Sequence, residues 1–124
     1  MANCENLEIY LTADKLQQEL LKLFNDMPRK YKYVLGDDVV RLGNKLQDLI
    51  YDVNEALSHR EKYQCARQLL RTHYQIVRRM KNIHRLHIIN DEKYALFIEL
   101  FSSIGKQATG WRNYHQCQVN KKKK

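Results

Sequence analysis

Apolar residues recur along this chain at alternating steps of three and four. Ile9, Ala13, Leu16, Leu20, Leu23 and Met27 follow that spacing, which gathers them on one face of a helix. It predicts a first helix running to about Asp26, stopped by Pro28 and beginning either near Asn6 or at a Thr12 cap, both acceptable N-cap types. Leu35, Val39, Leu42, Leu46, Leu49, Val53 and Leu57, with Ile50 beside them, make a second stripe and predict a long helix over about 34–57. The basic stretch RKYKY would be the connection into it, and Asp37 and Asp38 would suit the positive end of its dipole.

Ser58-His59-Arg60-Glu61 has the form of a capping box, so a third helix should start at once and end around Ile88. Its apolar face is Ala66, Leu69, Leu70, Ile76, Val77, Met80 and Ile83. Asn90 should cap a fourth helix that opens with Asp91 and Glu92 and carries Tyr94, Phe97, Phe101, Ile104, Ala108 and Trp111. Four amphipathic segments joined by short connections are what an all-α, antiparallel up-down-up-down four-helix bundle requires. Residues 1–115 should form that one domain, and residues 116–124, ending in KKKK, a basic disordered tail.

Composition agrees. The chain has 124 residues, 44% apolar and 29% charged, with four Gly and the single Pro28. That is enough for one domain with its own core and too little turn chemistry for a many-stranded sheet. The opening MANCENLEIY lacks a basic n-region and an apolar stretch, and no run of about 18 apolar residues occurs, which points to a cytoplasmic protein with no membrane partner. Cys4, Cys65 and Cys117 are far apart and outside any CxxC pattern, so free thiols are expected.

Charge changes the picture more than composition does. The net charge is +8, but residues 1–57 carry 7 basic and 10 acidic groups, a net −3, whereas residues 58–89 carry 8 basic groups against one acid, a net +7. Such asymmetry suggests an anionic partner. Turning about 100° per residue from Arg60 brings Arg67, Arg71, Arg78 and Arg85 within about 20° of one line, opposite Leu69, Ile76, Met80 and Ile83. Tyr63, Tyr74 and Lys81 border the line, and Arg79 lies to one flank. At a rise of 1.5 Å per residue this line is about 38 Å long. Three readings follow: phosphate binding, with guanidinium forks on the backbone and tyrosines stacking on bases; pairing with acids of the first two helices or another subunit; and simple solvation. Against solvation, Glu61 is the one acid among the nine charged residues between 60 and 85.

The histidines suggest no chemistry of their own. His73 falls within the apolar stripe, and His84 and His87 are three apart, so core or interface histidines satisfied by hydrogen bonds are expected. No Glu-x-x-His pair of a di-metal bundle, H-E-x-x-H, G-x-S-x-G or phosphate-binding glycine loop is present. No active site, cofactor or metal site is expected.

The succession RKYKYVLGDDV (29–39), QLLRTHYQIVRRMKNIHRL (68–86) and IGKQATGWRN (104–113) resembles the accessory variability determinant of diversity-generating retroelements, over about residues 8–113. The resemblance implies a homopentameric barrel of four-helix bundles. It would associate with the retroelement's reverse transcriptase and with template RNA or DNA, supporting mutagenic cDNA synthesis without catalysis of its own. By position, Arg67, Arg71, Arg78, Arg79 and Arg85 match the family's basic third helix, and Gly110 and Trp111 its C-terminal Gly-Trp. Together with the helical line this gives a candidate nucleic-acid-binding set of Arg60, Arg67, Arg71, Tyr74, Arg78, Arg79, Lys81 and Arg85. MPRK departs from the family's more usual Phe-Pro, and Lys-Gln-Ala after Gly105 departs as well. The alternative is an oligomerisation scaffold similar to the proteins encoded in intervening sequences of ribosomal RNA genes. Their glycine-bearing end to helix two is missing from DVNEAL.

Overall fold

A computed structural model describes residues 7–122. Among these the chain is all-helical, with no strand, and four helices account for nearly all of it. The first, α1, is Glu8–Asp26. Its N-cap is Leu7, in extended conformation with no side-chain cap, and Asn6 lies outside the described residues. Thr12 is no cap either: it sits inside the helix, its hydroxyl donating to the Glu8 carbonyl at 2.9 Å.

Pro28 ends α1 because it forces Met27 out of helical geometry, to φ −73° and ψ 140°. It also starts the next helix. Its carbonyl accepts the N–H groups of Tyr31 and Lys32 at 2.9 and 3.0 Å, and its missing N–H costs nothing at a helix start. The second helix, α2, therefore begins well before residue 34. It comprises one turn, Arg29–Tyr31, a π-helical stretch, Lys32–Gly36, and the regular helix Asp37–Glu55. RKYKY is helix, not connection. In the widened stretch the Asp37 N–H reaches back five residues to the Lys32 carbonyl. Gly36 there lies so close to α1 that a Cβ would stand 3.0 Å from Phe24 and 3.1 Å from the Met27 sulfur. Asp37 and Asp38 consequently sit past the first turns of α2, where they pair with Arg41 and Arg79 instead of only facing a helix end.

The regular part of α2 stops at Glu55, and Ala56 is extended. Leu57, two residues beyond, is 92% exposed, so it does not belong to the apolar stripe that its spacing suggested. Ser58 caps α3, His59–Arg85, with its Oγ accepting the Glu61 N–H at 3.1 Å, as the capping box predicts. That helix closes three residues earlier than expected. His87 turns left-handed at φ 60°, its N–H bonds the His84 carbonyl at 2.9 Å, and the Ile88 N–H bonds the Ile83 carbonyl at 3.2 Å. These two bonds form a Schellman stop, with Ile88 folded back toward Ile83.

Asn90 caps α4, Asp91–Lys122, by accepting the Lys93 N–H at 2.7 Å. No break occurs at residue 115, and residues 116–122, expected to be a disordered tail, are helical. Nothing in NYHQCQV stops a helix, and Trp111, His115 and Val119 continue the inward face at steps of four. Residues 123 and 124 lie outside the described residues.

Each helix packs on its neighbours in the chain, and α1 also packs on α4, closing a four-helix bundle. Leu16, Leu20, Leu46, Ile50, Leu69, Ile76, Met80, Ile83, Phe97 and Ile104 are fully buried in one continuous core, so the stripes meet as a bundle requires. No helix of the described residues is long and apolar enough to cross a membrane.

Candidate nucleic-acid interface

Burial of Leu69, Ile76, Met80 and Ile83 fixes the rotation of α3 and turns its opposite side to solvent. Arg60, Arg67, Arg71, Arg78 and Arg85 are all exposed there, with Lys81 beside them and Tyr74 half exposed. Among the described residues none of these five arginines makes an ion pair within the chain. Arg67 lies over the Tyr63 ring at 5.7 Å, a cation–π contact that leaves its N–H edges free. A shallow groove lined by Gln64, Arg67, Gln68 and Arg71 runs along the same face.

Arg79 differs from the rest of the candidate set. It is half-buried, its Nε donates to Asp38, and its Nη1 donates to the Gln75 carbonyl at 3.2 Å. Its guanidinium ties α3 to α2.

A second basic stretch opens α2. Arg29 and Lys30 are exposed there, more than two turns before Asp38, and Tyr33 and Val34 are 67% and 69% exposed in the next turn. Lys30 lies over Tyr31 and Lys32 over Phe24, at 4.9 and 5.1 Å. Reading RKYKY as a loop hid this cluster. Basic and aromatic residues alternating directly after a proline were the available signal.

The histidines separate by environment. His73 is 3% exposed, edge-on to Phe101 and packed so closely on Gly105 that a Cβ there would lie 3.0 Å from its Nε2. It is a core histidine, as expected, but its buried Nδ1 has no hydrogen-bond partner, contrary to expectation. Burial lowers its pKa to about 4, so the ring is neutral near pH 7. His84 stacks on Tyr94 with centroids 4.0 Å apart and sets Nε2 2.7 Å from Asp91 Oδ1.

Glu19 carries an acid role that spacing did not reveal. It joins α1 to α4 through Lys93, and that hydrogen bond holds its pKa below the ordinary carboxylate value. Among the described residues no group of three or more His, Cys, Asp or Glu side chains could hold a metal ion. Cys65 and Cys117 are free thiols, and burial raises the pKa of Cys65, which makes it a poor nucleophile. Cys4 lies outside the described residues.

Comparison with protein-family models and with curated proteins gives no match to this chain. Its class rests on the structure itself: an all-helical bundle with one unpaired arginine face.

Proposed function

We propose that this chain is a non-enzymatic accessory protein of a diversity-generating retroelement, binding template RNA or DNA through the outer face of α3 and working beside the element's reverse transcriptase. The observation that carries this reading is the exposed line Arg60, Arg67, Arg71, Arg78 and Arg85, none of which forms an ion pair among the described residues. Guanidinium groups without ion-pair partners on one rigid helix repel one another, and a polyphosphate backbone relieves that repulsion while releasing its counterions. The resemblance in the third helix and in Ile104-Gly105 through Gly110-Trp111 supplies the retroelement context. We further propose an antiparallel bundle that assembles as a homopentamer in the cytoplasm. Leu11 and Leu21 on α1 and Ile98 on α4 are exposed, which favours self-association.

Binding of this kind reads charge and shape and not base edges, so its salt dependence is the decisive property. Each lost phosphate contact lowers the slope of log K against log salt by about 0.7–0.9. The Arg67/Arg71/Arg78→Ala variant should therefore bind a structured RNA more weakly and with a slope smaller by about 2 to 3 per chain. Equal affinity and slope in variant and wild type would overturn the proposal. The scaffold reading predicts the opposite pattern, in which wild type never binds RNA appreciably while the triple variant dissociates on a sizing column.

A further inference from the structure

The end of the bundle where α3 begins and α4 ends holds a histidine pair that the arginine reading does not use. His59, in the first turn of α3, and His115, on α4, face each other with Nδ1 atoms 3.0 Å apart and ring centroids 5.2 Å apart. Those two distances set the rings nearly end to end, which is the geometry of a single N–H···N hydrogen bond. One Nδ1 must donate and the other accept, so the bridge accommodates two neutral rings or one proton in excess. With both rings protonated there is no acceptor, and two like charges meet across 3.0 Å.

Little else fastens this end of α4. His115 is the last buried residue before 122; of residues 116–121, Gln118 and Val119 are partly covered and the others exposed. Gln116, Val119 and Asn120 lie along Arg60, Tyr63 and Gln64 of α3 across a groove. Tyr114 sets its ring edge-on to both histidines.

The surrounding charges work against protonation. Burial is the first cause of the lowered His115 pKa, followed by His59 and Lys62, and among the described residues no acid acts in the other direction. Lys62 is held in place by the end of α2, donating to the carbonyls of Val53 and Asn54 at 2.7 and 3.0 Å. The acids of that region, Asp52, Glu55 and Glu61, line a neighbouring groove with Cys65, on the other side of Arg60 and Gln64.

We propose that His59 and His115 form a proton-operated latch, which holds the last turns of α4 on the start of α3 and releases them when both rings carry a proton. Release carries Gln116, Val119 and Asn120 away from Arg60, so it reshapes one end of the arginine face whatever that face binds.

Hydrogen exchange of the full chain tests this, with rates at residues 116–121 expressed as protection factors so that the intrinsic effect of pH cancels. Between about pH 7.5 and about pH 5, the window in which histidines titrate, protection there should fall about tenfold for each unit by which the latched pair resists protonation. The buried core of α3 should keep its protection. His115→Leu should hold its protection unchanged across the window. Should that variant lose the α4 end altogether, His115→Gln, which offers His59 a hydrogen bond without titrating, takes its place. Ring nitrogen shifts of the wild type give the protonation state directly, and both rings should be protonated at the lower pH. Unchanged protection at 116–121 in wild type, a fall that persists in the non-titrating variant, or a pair still sharing its proton at about pH 5 would each overturn the latch.

Discussion

Gly43 shows how a single missing methyl positions two helices. A Cβ at this place would stand 1.7 Å from Gln17 Oε1 and 3.1 Å from Leu20 Cδ1. The absent side chain lets Gln17 reach across from α1 and donate to the Val40 carbonyl at 3.1 Å and to Asn44 Oδ1 at 2.9 Å. Gly43→Ala should gain about 1 kcal/mol of helix propensity and lose more, because Gln17 must swing away from two part-buried hydrogen bonds worth about 1 kcal/mol each. A net loss of about 1 kcal/mol in urea denaturation is expected. With Gln17→Ala in place, the added methyl fills vacated space, so the double variant should be more stable than the two single effects sum to, by about 1 kcal/mol. Strict additivity would mean that Gly43 is not there for Gln17. Nothing in the sequence singles out this position, since a glycine inside an amphipathic repeat carries no local signal of the partner helix above it.

At the scale of elements, local chemistry was legible and its exceptions were tertiary. The Ser58 and Asn90 caps stand where their residue types and the following acids put them. The start of α2 was not legible, because a proline followed by RKYKY fits a connection as well as a first turn. What decides for helix is the packing of Gly36 against Phe24 and Met27 through the widened π stretch. The arginine line followed from periodicity alone, but the diversion of Arg79 to Asp38 needed the relative placement of α2 and α3. The end of α3 carried no glycine to announce it, and the stop falls on His87 at φ 60°. A side chain with a Cβ is strained in that region. His87→Gly should therefore stabilise the fold by up to about 1 kcal/mol, part of the relief being returned through the freer unfolded chain. Thermal unfolding read at matched pH checks it, and a lower midpoint would show that the imidazole of His87 makes a contact worth more than the strain.

Across the whole molecule, pH should act chiefly through the core histidine. His73 has its folded pKa lowered to about 4 from an ordinary 6.5, by burial. As pH falls the unfolded chain takes the proton first, so this contribution to stability is fully present above about pH 6.5 and is lost progressively down to about pH 4. A difference of about 2.5 units corresponds to about 3 kcal/mol, a large share of the roughly 5–15 kcal/mol that holds a typical domain together. Glu19, whose folded pKa is also lowered, pushes in the same direction at lower pH, because its stabilising ion pair with Lys93 is lost once the carboxylate is protonated. The His73 share can be isolated by difference. His73→Leu, of similar volume, removes both the titration and a buried Nδ1 that bonds nothing, so it should match or exceed wild type by about 1 kcal/mol near pH 7. Its advantage should then widen by about 3 kcal/mol by pH 4 in urea titrations. Wild-type and variant stabilities that run parallel over that range would mean that the ring escapes to solvent before it is protonated, opening α3 from Phe101 and Gly105. Divergence would show that the bundle core itself, and not the charged exterior, sets the acid limit of the fold.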